Sequence, residues 1–184
     1  AVAGREVHGT MTPVRCTPFY HCHVNAGAVF EPSSCWMYPK YYPRKDESMD
    51  EAIERETLNT RDNVGVVDMS SLGKLEVCGP DAVKFLELAY INKFAKLPIG
   101  RTRYAIMLRP DGQVLDDGTV TRLSENRFLV TMTTAHTGAA QLQFQRMLDI
   151  DFPELDVAMT SVTEQWASLA IAGPNARKIL EKLD

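Results

Sequence analysis

One pattern occurs twice in this chain. Residues 75–88 read LEVCGPDAVKFLEL, and residues 169–183 read LAIAGPNARKILEKL. Each is an apolar strand, a Gly-Pro breaker, Asp or Asn, Ala, and an amphipathic helix. Gly79 and Gly173 lie 94 residues apart. Gly-Pro before a helix is common chemistry, since Pro80 suits a first helical position where its missing N–H is harmless. A joint match of strand, breaker, cap and helical spacing favours duplication of an α/β unit over chance. After Gly79 the chain supplies a helix, hairpin strands, a helix and a return strand. After Gly173 it supplies one helix before Asp184. A unit without its strands leaves an edge and an apolar helix face uncovered. The expectation is a chain that stops mid-domain.

Around this frame, local signals divide the chain into three stretches: an irregular N-terminal arm over 1–45, a first α/β unit with hairpin strands over 46–165, and the start of an incomplete second unit over 166–184. Pro13, Pro18, Pro32, Pro39 and Pro43 block long helices in the arm. Trp36, Tyr38, Tyr41 and Tyr42 make it too aromatic for a free linker; it packs on a body, or presents an aromatic patch to a partner. Ser48-Met49-Asp50-Glu51 spells a capping box, with a helix to about Arg61. Short strands over 66–69 and 74–78 flank a turn at Ser70–Gly73. Strands follow over 103–109 and 128–133, with strand-like residues over 113–117 and 118–123 between them, then a helix over 134–148, strands over 156–162 and 168–172, and a helix over 175–183.

Composition narrows the function. The net charge is -4, from 20 Lys+Arg against 24 Asp+Glu, which argues against a duplex nucleic-acid binder. No apolar run approaches a membrane span, and the first ten residues lack a secretory apolar stretch. Four cysteines in 184 residues are too few for a disulfide scaffold, and the expected location is the reducing cytoplasm. Placed on a strand, His21 and His23 share a face and with Cys16 or Cys22 could hold zinc or copper. The plainer reading is polar or half-buried residues, with no metal.

The chemistry-bearing stretch is Arg109–Val120, where Asp116 and Asp117 interrupt an apolar strand pattern. Strand neighbours point to opposite faces, so by this geometry the two cannot both serve one pocket. One faces inward or into a cleft; alternatively both satisfy a bend. A carboxylate in a cleft suits a cationic or proton-losing substrate nitrogen. Tyr104, one strand earlier, is an aromatic wall with a polar tip, or a half-buried packing residue. The Ser70–Gly73 turn can bring backbone close to a ligand. Thr131, Thr133 and Thr134 end a strand in hydroxyls, or reflect β propensity alone. No P-loop, GxGxxG, GxSxG or HExxH is present.

Several stretches together resemble the glycine cleavage T-protein family. Val67–Gly73 followed by LEVCGPDA resembles the family's DVSxxGxxxxxGPDA signature, and so does YAIML followed by DGQVLDD. TPFYHCHVNAGAVFEP and WMYPKYYPR match its N-terminal arm. Within the family, RLSENRF, TMTTA, PELDV and SVTEQWA resemble the branch formed by the folate-binding region of heterotetrameric sarcosine oxidase α subunits. The resemblance covers about residues 10–184.

The resemblance implies the N-terminal part of a tetrahydrofolate-binding α+β fold with duplicated ferredoxin-like βαβ units, the second truncated. It implies Asp117 as the catalytic carboxylate and Leu72, Tyr104, Asp116 and Thr133 as cofactor-binding residues. Leu72 stands where many T-proteins carry Met, and Thr133 where many carry Asn. In sarcosine oxidases, flavin oxidises the N-methyl group to an iminium and folate captures the one-carbon unit as 5,10-methylenetetrahydrofolate. FAD, FMN and NAD are expected elsewhere in such an enzyme, and the expected partners are folate and the other oxidase subunits. The later Glu, Tyr and Arg folate contacts would lie beyond Asp184, so this piece alone is expected to be inactive and to bind folate weakly or not at all. The alternatives are an aminomethyltransferase or dimethylglycine dehydrogenase-like protein, and a non-catalytic assembly module.

Overall fold

The computed structural model describes residues 15–183. The first 14 residues of the expected arm, and Asp184, lie outside the described residues. The fold is mixed α/β, and the chain divides into two compact units. One holds the described parts of Ala1–Met69 and Ala167–Asp184; the other is Ser70–Trp166. This differs from the three stretches expected from sequence. The reason is a long-range pairing: strand β4 (Gly65–Asp68) runs antiparallel to β10 (Leu169–Ala172), which draws both ends of the chain into one unit.

In that first unit the arm is not irregular. It forms β1 (Arg15–Cys16), helix α1 (Tyr20–Asn25), β2 (Val29–Ser33) and β3 (Trp36–Tyr41), with sheet order β1-β3-β2. Its aromatics are not an exposed patch. Trp36 is buried under the Arg15 guanidinium, 4.2 Å from the ring centroid, and Tyr38, Tyr41 and Tyr42 are half-buried. His21 and His23 lie on α1 rather than on a strand. His23 is a structural bridge: Nε2 is 3.0 Å from buried Asp68 Oδ2, and Nδ1 is 2.7 Å from the Tyr42 hydroxyl. No cluster of three or more His, Cys, Asp or Glu suited to a metal occurs among the described residues. Helix α2 (Met49–Asp62) starts with the expected capping box. Ser48 Oγ accepts from the Glu51 N–H, and the Glu51 carboxylate accepts from the Ser48 N–H.

The second unit is a five-stranded antiparallel sheet in the order β6-β7-β8-β5-β9, formed by β5 (Gly73–Cys78), β6 (Thr102–Leu108), β7 (Val114–Ser124), β8 (Arg127–Met132) and β9 (Ala158–Ser161). One face is alternately apolar. Leu75, Val77, Met107, Val120, Val130 and Met132 pack there against helices α3 (Ala82–Ala89) and α4 (Thr137–Arg146). Phe144 is fully buried, edge-on to Phe85 and Tyr90 at centroid distances of 5.1 and 5.8 Å. Helix α4 continues as one wider turn over Met147–Asp151. The strands around Ser70–Gly73 are not partners of each other: β4 pairs with β10, and β5 with β8 and β9.

The repeated motif builds the same local turn twice. Gly79 and Gly173 have φ of 139° and 116°, a region other residues avoid. Their C=O groups accept from the N–H of Ala82 and of Ala176, which begins α5 (Ala176–Leu180). A Cβ on Gly79 would sit 2.2 Å from the Asp156 carbonyl oxygen. On Gly173 it would sit 2.5 Å from those of Asn63 and Thr60. The next residues but one bond to the same carbonyls, Asp81 N–H to Asp156 and Asn175 N–H to Asn63. In both places a helix leads into the segment being touched, which then pairs antiparallel with the motif's strand.

Candidate functional site

The site is built on the sheet face opposite the core of the second unit. Strand alternation sends Ala105 and Met107 of β6 into the core, and leaves Tyr104 54% exposed. On β7 the same alternation separates the two adjacent carboxylates. Asp116 is 4% exposed on the core face, and Asp117 is exposed on the other. This agrees with the opposite-face reading of the sequence. It separates Asp116 from a direct role beside Asp117, because the backbone between them turns one side chain inward.

Tyr104 and Asp117 meet. Tyr104 pairs with Thr119 and Ile106 with Asp117, so the two residues are diagonal neighbours. The Tyr104 hydroxyl donates to Asp117 Oδ2. That hydrogen bond, with lesser help from desolvation and the charges of Asp117 and Asp116, raises the phenol above its ordinary pKa. Tyr104 is thus a surface residue with its phenol held protonated, not a packing residue.

Leu72 and Thr133 lie at the same end of the sheet. Gly73 pairs with Met132, and Met132 with Gly118. One step further along those ladders come Leu72, Thr133 and Asp117, so the three occupy one row across β5, β8 and β7. The loops that carry them are tied together. Ser71 Oγ and Thr134 Oγ1 are 3.1 Å apart, and Thr137 Oγ1 donates to the Thr133 carbonyl at 2.9 Å. A Cβ on Gly73 would meet Thr137 Oγ1 at 2.2 Å, so glycine lets the two loops close. Leu72 and Thr133 are half-buried.

Two residues absent from the sequence reading belong to this region. Lys74 is buried, and its ammonium donates to the carbonyls of Ser70 and Leu72 at 3.1 and 2.9 Å, fixing the turn before β5. A Lys inside an apolar strand pattern was the available signal. His136 precedes α4, donates its N–H to the Thr133 carbonyl at 3.0 Å, and places Nδ1 3.4 Å from Asp116 Oδ1. Nothing in its spacing marked it. Asp116 in turn accepts the Thr133 N–H at 3.2 Å through Oδ2. Asp116 therefore supports the Thr133 loop from the core side.

Chemically, the exposed face offers an anionic carboxylate beside a neutral phenol, a half-buried aliphatic chain and a threonine. Such a set stabilises a positive centre and offers hydrogen bonds to a flat heterocycle. No helix among the described residues is long and apolar enough to cross a membrane.

Several known proteins are similar to this chain. The chain is 44% identical over its whole length to the sarcosine oxidase subunit alpha of Rhizobium meliloti (strain 1021), and 44% identical over 183 residues to that of Corynebacterium sp. (strain U-96). It spans 19% of the length of each. It is 29% identical to an aminomethyltransferase of Thermotoga maritima, with 91% of this chain and 43% of that protein aligned. The crystal structure of the glycine cleavage system aminomethyltransferase T from Bartonella henselae superposes with a TM-score of 0.79 at 29% identity, covering 92% of this chain and 43% of that one. The family model described as the GCVT N-terminal domain matches residues 19–184, and the chain belongs to that family.

Proposed function

We propose that this chain is a tetrahydrofolate-binding segment of a sarcosine oxidase α subunit, and that Asp117 serves capture of the one-carbon unit from oxidised sarcosine as 5,10-methylenetetrahydrofolate. The observation that carries the reading is the Tyr104–Asp117 pair, exposed on the sheet face opposite the core. The residues present fit the group. A reduced pterin presents ring N–H groups and an amine nitrogen, and loses a proton when the one-carbon bridge forms. An exposed carboxylate answers both the cationic one-carbon species and the proton.

The folate supplies the nucleophilic nitrogens that take up the one-carbon unit. Asp117 holds a negative charge where positive charge develops, which lowers the barrier without reorganisation. Its Oδ2 already accepts the Tyr104 hydroxyl, so that phenol fixes the carboxylate's orientation and leaves Oδ1 for ligand. Leu72 gives an apolar contact for a ring face, and Thr133 a polar edge in the same row. The same residues would serve an aminomethyltransferase, whose relatives match at 28–30% identity. The 44% identity over the whole chain favours the oxidase branch.

The test is a titration of tetrahydrofolate into the whole protein that carries this chain, followed by intrinsic fluorescence. Saturable binding, weakened by Tyr104→Phe and by Asp117→Asn, is the expected result. No binding, or binding indifferent to both changes, refutes the reading and favours an assembly module.

A further inference from the structure

We propose that Asp116 and His136 form a carboxylate–imidazole pair in which buried Asp116 orients His136 as a second proton-transfer group at the Thr133 edge of the site. The proposal rests on the folate reading for its substrate, but not for its geometry.

The Asp116 side chain is 3% exposed. Oδ2 has a partner in the Thr133 N–H at 3.2 Å, whereas Oδ1 is buried with no hydrogen bond. Buried carboxylate oxygens seldom stay without a donor. The group placed to supply one is His136 Nδ1, 3.4 Å from Oδ1, slightly beyond a good hydrogen bond. The His136 side chain is 55% exposed.

Two phenols lie near the Asp116 carboxylate. Tyr90, buried behind it, is pushed above its ordinary pKa by desolvation and then by the Asp116 charge, so that phenol stays protonated. Tyr104 feels the same charge from the other face of the sheet, and Asp117 points away with it. With no donor on Oδ1, the pair selects the imidazole tautomer with hydrogen on Nδ1. Nε2 then carries the lone pair.

The backbone joins this pair to the site. His136 N–H and Thr137 Oγ1 both donate to the Thr133 carbonyl, and the Thr133 N–H goes to Asp116. One carboxylate thus sets both the Thr133 loop and the imidazole behind it. In the proposed step, Nε2 takes the proton lost by the ligand nitrogen as the one-carbon bond forms. The N–H bond that breaks leaves its electron pair on nitrogen, a new Nε2–H bond forms, and the imidazolium is stabilised by Asp116. Release of that proton to water resets the pair. Asp116 acts only through His136 and the Thr133 loop, so it is a positioning residue.

Two measurements test this. The first is NMR of the [15N]histidine-labelled chain above the histidine titration range, with His136 assigned through His136→Gln. The wild type should show His136 as the Nδ1–H tautomer, and Asp116→Asn should move it toward Nε2–H. An Nε2–H tautomer in the wild type, or one unmoved by Asp116→Asn in a folded variant, overturns the pair. The second is folate-dependent product formation by the whole protein. His136→Ala should lower it roughly 100-fold, the lower range for a general acid–base group, with tetrahydrofolate affinity little changed and activity partly restored by added imidazole. A wild-type rate in His136→Ala overturns the proton-transfer role. If the wild type binds no tetrahydrofolate, the folate reading fails, and the tautomer result still decides the pair.

Discussion

Gly79→Ala should destabilise the chain far more than Gly112→Ala, although both glycines have positive φ, 139° and 81°. Strain at such a backbone costs a side-chain-bearing residue about 1–3 kcal/mol. Gly112 lies in an open turn with nothing within 4 Å of an added Cβ, so it should lose only that amount. At Gly79 the Cβ would lie 2.2 Å from the Asp156 carbonyl oxygen, and backbone must move. The movement threatens two hydrogen bonds, Asp81 N–H to Asp156 C=O at 3.3 Å and Asp156 N–H to the Asp81 carboxylate at 3.0 Å. Each is worth about 0.5–1.5 kcal/mol. The total for Gly79→Ala is therefore about 2–6 kcal/mol, a large share of the roughly 5–15 kcal/mol that holds a domain folded. Urea unfolding followed by far-UV circular dichroism measures both variants against wild type. Losses within about 1 kcal/mol of each other would refute the close-approach account of the repeated turn.

Other outcomes follow from the packing and the charges. Phe144→Ala removes a fully buried ring held between Phe85 and Tyr90, and should cost about 3–5 kcal/mol in the same assay. Ser48→Ala removes the cap of α2 and should cost about 1 kcal/mol. The hydrogen bonds that Arg55 and the Arg44 backbone give to Glu47 lower its carboxyl from 4.5 to about 2. A carboxylate depressed in the folded state stabilises above its unfolded pKa and loses that contribution as pH falls. Acid titration of stability should show Glu47's share disappearing between about pH 4.5 and 2, and Glu47→Gln should flatten that limb.

Local signals in the sequence translated well where a few adjacent residues decide the geometry. Ser48 and Glu51 stand at capping spacing, and both reciprocal bonds form. Adjacent Asp116 and Asp117 on an apolar strand point to opposite faces because strand alternation leaves no choice. The arm misled because its prolines exclude helices but not strands. Pro32 sits on edge strand β2, and Pro39 lies on β3 beyond the two residues that β1 reaches. The turn at Ser70–Gly73 gave no sign that its flanking strands join different sheets, since β4 finds its partner about a hundred residues away. His136 escaped notice for the same reason: its carboxylate arrives from another strand, twenty residues earlier.

The central claim is that Asp117 supplies the charge for one-carbon capture by folate. It is tested most directly by Asp117→Asn in the whole protein, with sarcosine consumption, methylenetetrahydrofolate and formaldehyde measured together. The amide keeps an acceptor for the Tyr104 hydroxyl and removes only the charge. The account predicts unimpaired sarcosine oxidation, methylenetetrahydrofolate formation lower by about 100-fold, and formaldehyde rising in its place. Folate-dependent product at the wild-type rate would contradict it.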